Sequence, residues 1–237
     1  MSSNPKPKAA PAAQSGLTRQ YLLAYNAANF FLWTILTVRT IRLVINQAIT
    51  SRPLSLDIPE IFTETYAPTL QITQSLAILE VLHSLVGVVR APAVTTAMQV
   101  ASRLFVVWGV LYPFHGELVG AGDDIAEYGY LGCMLAWGVT ECIRYGFFVM
   151  QVNGGVETIP WWWQWLRYNT FYVLYPVGIS SECTLAVKAL SVAEELHALY
   201  WWFVVAVLVI YVPGSYVMYT HMIRQKRKTG AKKEAKE

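Results

Sequence analysis

Apolar residues along this chain gather in six long runs, and polar residues gather between them. The runs extend from about Tyr21 to Ile49, Ala67 to Val89, Val94 to Phe114, Ile125 to Met150, Trp161 to Ser180 and Leu199 to Met222. Each is close to the ~20 residues that a helix needs to cross about 30 Å of hydrocarbon. None shows the polar/apolar alternation over about ten residues that marks a spanning strand. The pattern predicts an all-α integral membrane bundle of six transmembrane helices over residues 17–223. An unstructured tail (residues 1–16) precedes the bundle and a basic tail (residues 224–237) follows it.

Composition agrees with lipid as the solvent. Hydrophobic residues make up 55% of the 237 and charged residues only 14%, against about 25% charged in an ordinary soluble domain. The stretch Met1 to Gly16 is rich in Pro, Ala, Ser and Lys without an apolar centre, so it reads as a disordered cytosolic tail and not as a signal peptide. The net charge is only +3 and the basic residues are dispersed or terminal, which excludes nucleic acid as a partner.

Charge placement sets the orientation. Lys6, Lys8 and Arg19 precede the first run, and Arg224, Lys226, Arg227, Lys228, Lys232 and Lys233 follow the sixth. Asp57, Glu60 and Glu64 cluster after the first run, and Glu117, Asp123, Asp124 and Glu127 after the third. An even number of spans puts both basic ends on one side, and the positive-inside rule makes that side cytosolic. Trp161, Trp162, Trp163 and Trp165 open the fifth run, and Trp201 and Trp202 the sixth, as interfacial anchors.

Function has to come from polar groups within the spans, where a centred charge costs about 2.5–3.5 kcal/mol. The second run carries Glu80 and His83, the third Gln99 and Arg103, the fourth Glu141 and Arg144, the fifth Arg167, Tyr175 and Glu182. Glu141 and Arg144 are three apart and can pair, so a structural network is a full alternative to catalysis for such residues. Arg39 and Arg42, near a helix end, read as snorkelling. Several chemistries drop out. His83, His115, His197 and His221 form no histidine box, and no GxSxG elbow, P-loop or HExxH is present. Cys133, Cys142 and Cys183 have no CxxC spacing and none precedes an arginine by six, which excludes a thiol phosphatase. Acid/base chemistry by Glu, Tyr, His and Arg remains, with no metal or cofactor required.

The fifth run is the most informative. Tyr175 and Glu182 are seven apart on one helical face, about 10.5 Å along the axis. That is too far for two groups acting on neighbouring carbons unless the helix distorts, and Pro176 and Gly178 allow distortion. A phenol and a carboxylate suit removal of a proton α to a carbonyl. The same residue types are also common as interfacial anchors.

The run from Leu174 through Tyr175, Pro176 and Gly178 to Glu182 resembles the signature of the very-long-chain (3R)-3-hydroxyacyl-CoA dehydratases, once called protein-tyrosine-phosphatase-like proteins. Blocks at Leu79–Pro92, Gln99–Arg103, Trp137–Tyr145, Trp165–Tyr168 and Tyr211–Gly214 match in the same order. The first run and both tails are not diagnostic. The resemblance implies a six-span protein of the endoplasmic-reticulum membrane with both termini cytosolic. It implies dehydration of a long-chain 3-hydroxyacyl-CoA to the trans-2-enoyl-CoA, the third step of fatty-acid elongation, with Tyr175 and Glu182 as the essential pair. Glu182 is then assigned as base and Tyr175 as proton donor, although residue types alone allow the reverse. Membrane lipid and other enzymes of the elongation cycle are the implied partners. Arg90, Arg144 and Arg167 are the candidates for binding the phosphate-bearing end of the substrate, because a guanidinium fork holds phosphate oxygens in pairs. A membrane adaptor or scaffold with the same fold is the alternative. It would have no need of the Tyr175–Glu182 pair.

Overall fold

The computed structural model describes residues 16–50, 56–89, 91–120 and 124–234, and all regular structure among them is helical. α1 (Gly16–Thr50) leads into a broken second segment. That segment comprises α2 (Ile58–Thr65), a π-helical turn (Tyr66–Leu70), α3 (Gln71–Leu76) and α4 (Ile78–Leu85). Asp57 caps α2 by accepting the Glu60 N–H at 3.0 Å, which satisfies one of the donors a helix start leaves open. The break lies at Ala67 (φ −108°, ψ 134°), because a residue before proline is pushed out of the α region.

The third segment is α5 (Ala93–Leu104), a π-helical stretch (Phe105–Leu111) and α6 (Tyr112–Leu118). Carbonyls of that stretch accept tyrosine hydroxyls from two other segments, Tyr66 to Val107 at 2.9 Å and Tyr200 to Gly109. α7 (Asp124–Gly154) is the fourth segment. The fifth pairs α8 (Trp161–Asn169) with α9 (Phe171–Leu196), and the sixth is α10 (Ala198–Glu234).

Side-chain contacts show consecutive segments running in opposite directions. Arg19 at the start of α1 donates to the carbonyls of Val152 (3.0 Å) and Asn153 (2.5 Å) at the end of α7. Tyr21 meets His83 at the end of α4 at 2.8 Å. Lys226, late in α10, donates to Asn169 Oδ1 of α8 at 2.8 Å. The start of α1 and the end of α10 therefore share one face of the bundle, called here the terminal face. Most of the dense apolar core, including Ile61, Leu70, Val106, Leu111, Tyr130 and Leu185, lies toward the opposite face.

Four helical stretches are long and apolar enough to cross a membrane: Gly16–Thr50, Ala93–Leu118, Phe171–Leu196 and Ala198–Arg227. The second segment falls short because its helix is broken. The fourth is long but carries Glu127, Glu141 and Arg144, and its position explains how they are tolerated. α7 is the central helix, packed on α1 on one side and α9 on the other, so little of it needs to be compatible with lipid. Its glycines set these contacts. A Cβ at Gly138 would collide with Thr37 Oγ1, and one at Gly132 with Ser181 Oγ. Small residues at such crossings let helices approach closely, which is the main source of association in lipid.

Three boundaries differ by more than a few residues from those read in the sequence. The second segment begins at Ile58 and not near Ala67, because Asp57 caps the helix there and Gln47 and Arg39 hold Glu60 and Glu64. The fifth segment continues past Ser180 to Leu196, because Glu182 is turned into protein, only 5% exposed, and needs no watery helix end. The basic stretch from Arg224, expected as a tail, extends α10 as far as Glu234. Residues 1–15 of the expected N-terminal tail, and Arg90, lie outside the described residues.

Candidate active site

The polar residues singled out from the sequence fall largely into two systems within the described part of the bundle. The first is a ladder of alternating charges. Arg144 grips Glu80 with both ends of its fork (2.6 and 2.8 Å) and also donates to Glu141 Oε2 through Nε at 2.8 Å. Glu141, 1% exposed, accepts from Arg103 with its other oxygen. Tyr145 adds a hydroxyl to Glu80. The pairing of Glu141 with Arg144 expected from their spacing is present. Glu80 and Arg103 extend it across three segments. Arg39, expected to snorkel, instead pairs with Glu64 of α2.

The second system borders open space. α5, α7, α9 and α10 enclose a cavity of about 450 Å³ whose lining is mainly apolar. Along α10 the lining runs from Phe203 through Val207, Tyr211 and Ser215 to Met222. The 19 steps from Phe203 to Met222 span roughly 28 Å at 1.5 Å per residue. Tyr175 and Glu182 both line this cavity from α9. Neither touches the other. The Tyr175 hydroxyl donates to the Ser215 carbonyl at 3.1 Å, and its ring stacks on Tyr219 with centroids 5.7 Å apart. Glu182 accepts from Trp137 Nε1 on one oxygen and from the Tyr211 hydroxyl on the other, each at 2.9 Å.

The environments of the two carboxylates therefore differ in kind. Glu141 is saturated by cations. Glu182 is held by two neutral donors, with a cavity beside it. The two systems meet at Trp137, where the Arg103 guanidinium stands 5.8 Å from the indole that bonds Glu182. A carboxylate fixed in a largely apolar cavity can accept a proton from carbon, and a phenol in the same cavity can donate one to oxygen.

The scan for known families matches residues 74–232 to the protein tyrosine phosphatase-like protein family, PTPLA. The chain belongs to this family. A probable very-long-chain (3R)-3-hydroxyacyl-CoA dehydratase of Schizosaccharomyces pombe is 41% identical over 220 residues, which cover 92% of this chain and 96% of that protein. A very-long-chain (3R)-3-hydroxyacyl-CoA dehydratase of Caenorhabditis elegans is 34% identical, covering 90% and 97% of the two chains. PASTICCINO 2A of Oryza sativa, which carries the same dehydratase name, is 37% identical over 93% of this chain and 97% of its own. No solved structure matches.

In this PTPLA-family chain the residues singled out from sequence separate into distinct places. Tyr175 and Glu182 share the cavity. Arg144 belongs to the charge ladder, with its fork occupied by Glu80 and Glu141. Arg167 lies over the rings of Phe147 (4.6 Å) and Phe148 (4.8 Å) and pairs with no described carboxylate. Trp137 and Tyr211, which hold Glu182, were not singled out. Each opens a run that matches the family, and Tyr211 precedes Pro213 and Gly214 much as Tyr175 precedes Pro176 and Gly178. That likeness was the available signal.

Proposed function

We propose that the protein dehydrates (3R)-3-hydroxyacyl-CoA of very long chain to trans-2-enoyl-CoA, the third step of fatty-acid elongation, with Tyr175 and Glu182 as the acid/base pair. The observation that carries this is the presence of both residues in one mainly apolar cavity, with Glu182 oriented by Trp137 and Tyr211 and in no salt bridge with a described cation. The dehydratase names of relatives matched over nearly their full length support the same reaction.

In the proposed reaction Glu182 takes the proton α to the thioester. The C–H electron pair becomes the new double bond, and the β C–O bond breaks with its pair going to oxygen. Tyr175 gives that oxygen a proton and it leaves as water. One proton gained by Glu182 balances one lost by Tyr175. The resting bond from Tyr175 to Ser215 must open for this, as catalytic hydrogen bonds often tighten only when substrate is bound. On α10 the partner of Tyr175, Ser215, and the partner of Glu182, Tyr211, lie four residues apart, about 6 Å along the axis, so the two groups flank a space that the reacting part of the substrate can span.

The six segments, alternating in direction, are proposed as six crossings of the endoplasmic-reticulum membrane with the terminal face in the cytosol. Acyl-CoA is made there, and Arg167 lies eight residues before Tyr175, about 12 Å nearer that face. Arg167 is proposed to meet the nucleotide phosphates while the pantetheine arm carries the thioester inward. Arg90 has the same proposed role. Incubating purified protein with (3R)-3-hydroxyacyl-CoA should yield the trans-2-enoyl product, and failure at every chain length would sink the reading. A glycosylation acceptor placed between Glu117 and Glu127 should be modified and one after Glu234 should not. The reverse result would rule out the orientation.

A further inference from the structure

The cavity is too small for the whole of the proposed substrate. At about 450 Å³ it sits in the lower part of the ~300–1,000 Å³ range of pockets that enclose drug-sized ligands. A coenzyme A thioester of a very long acyl chain is far larger. The nucleotide can stay outside at the terminal face, but the distal chain still needs a place.

The lining shows where the cavity leads. At the level of Glu182 it is walled by all four helices. Toward the face opposite the termini, the α9 lining stops at Glu182 although α9 itself continues to Leu196. The last lining residues are Phe105 and Phe203, one from each of the two helical segments flanking the seam. Their rings meet edge to face with centroids 5.8 Å apart. Phe203 is 49% exposed on the outer surface of the bundle. From Tyr211, which marks the level of Glu182, to Phe203 is eight residues, or roughly 12 Å. That is less than the ~15 Å half-thickness of hydrocarbon that one ordinary lipid chain fills. A very long chain that begins at Glu182 must pass the phenylalanine pair.

We infer that Phe105 and Phe203 form a side door between the third and sixth segments, through which the distal acyl chain leaves the bundle for the bilayer. The protein then grips the part of the chain near the thioester and leaves the remainder to lipid. Nothing at the far end of the cavity measures the total length. This inference rests on the dehydratase reading, so turnover of a medium-chain substrate by the unaltered protein is established first.

Two arms then test the door. In the first, a very-long-chain 3-hydroxyacyl-CoA carries a pyrene on its terminal carbon. With an open door the bulky end sits in lipid and kcat/KM stays within about threefold of the unmodified substrate, whereas a closed end rejects it by the roughly 10–200-fold or more that even a misfitting methylene can cost. In the second, Phe203→Trp narrows the door, and the ratio of kcat/KM for very-long-chain over medium-chain substrate should fall about tenfold. Phe203→Leu, which opens it, should leave that ratio at or above the unaltered value. Rejection of the pyrene substrate, or an unchanged ratio in a well-folded Phe203→Trp protein, overturns the door while leaving the dehydratase reading intact.

Discussion

The two halves of the bundle solve the same problem, a carboxylate within a membrane protein, in opposite ways. Across the second segment, α5 and α7, Glu80 and Glu141 are tied to Arg144 and Arg103 in an unbroken alternation of charge. On the side of α9 and α10, Glu182 has an indole and a phenol for partners and a cavity beside it. A carboxylate locked to cations is stabilised in its charged form and gives up little as a base. One held by neutral donors keeps its orientation and is free to change charge. On the proposed mechanism, the contrast separates framework from chemistry among residues of the same type.

The comparison can be broken most severely at Arg144. Arg144→Gln leaves Glu80 and Glu141 without their shared cation, and loss of one partner from a buried pair costs about 3–5 kcal/mol. A large drop in melting temperature in detergent and in membrane abundance is expected, with Arg144→Lys restoring part of it. Unchanged melting would remove the ladder from the framework.

Glu182→Gln should do the converse. It keeps the shape and both neutral donors, so melting should stay near normal while turnover falls by a factor of about 10² or more. Tyr175→Phe should act alike, because it removes only the hydroxyl. Retention of most activity by both variants would make the pair structural.

A smaller effect is expected at Arg167. Arg167→Gln should raise KM for acyl-CoA by up to about tenfold and leave kcat nearly unchanged, the mark of a contact made equally in ground and transition states. The rise should shrink for a truncated pantetheine thioester, which has no nucleotide phosphates to lose. Equal damage with both substrates would return Arg167 to its packing role over Phe147 and Phe148.

Much of this was legible in the chain because lipid imposes simple constraints. Long apolar runs located the helical segments, and the three-residue spacing of Glu141 and Arg144 announced their pairing. The partners of Glu182 were not legible. Trp137 and Tyr211 lie 45 and 29 residues from it, and only the crossing of three helices brings them together. Helix ends were misplaced where a charge was taken for a boundary. Glu182 sits in mid-helix because its polarity is satisfied sideways, by neighbouring helices, instead of by water at an end.

The charge ladder has a mechanical consequence. Helices in lipid are drawn together by van der Waals packing and interhelical hydrogen bonds, since the surrounding tails are as apolar as the side chains and supply no hydrophobic force between them. An ion pair adds a constraint of its own. A slip of one turn, about 5.4 Å, would pull Arg103 or Arg144 off its carboxylate and strand both charges. With rungs on the second segment, α5 and α7, the ladder acts as a key that admits a single axial alignment of three helices. Trp137 lies four residues, about one turn, before Glu141 on the same helix, so the alignment extends to the indole that holds Glu182. The position of Glu182 along the bundle axis is thereby set by ion pairs about one turn away from its indole partner.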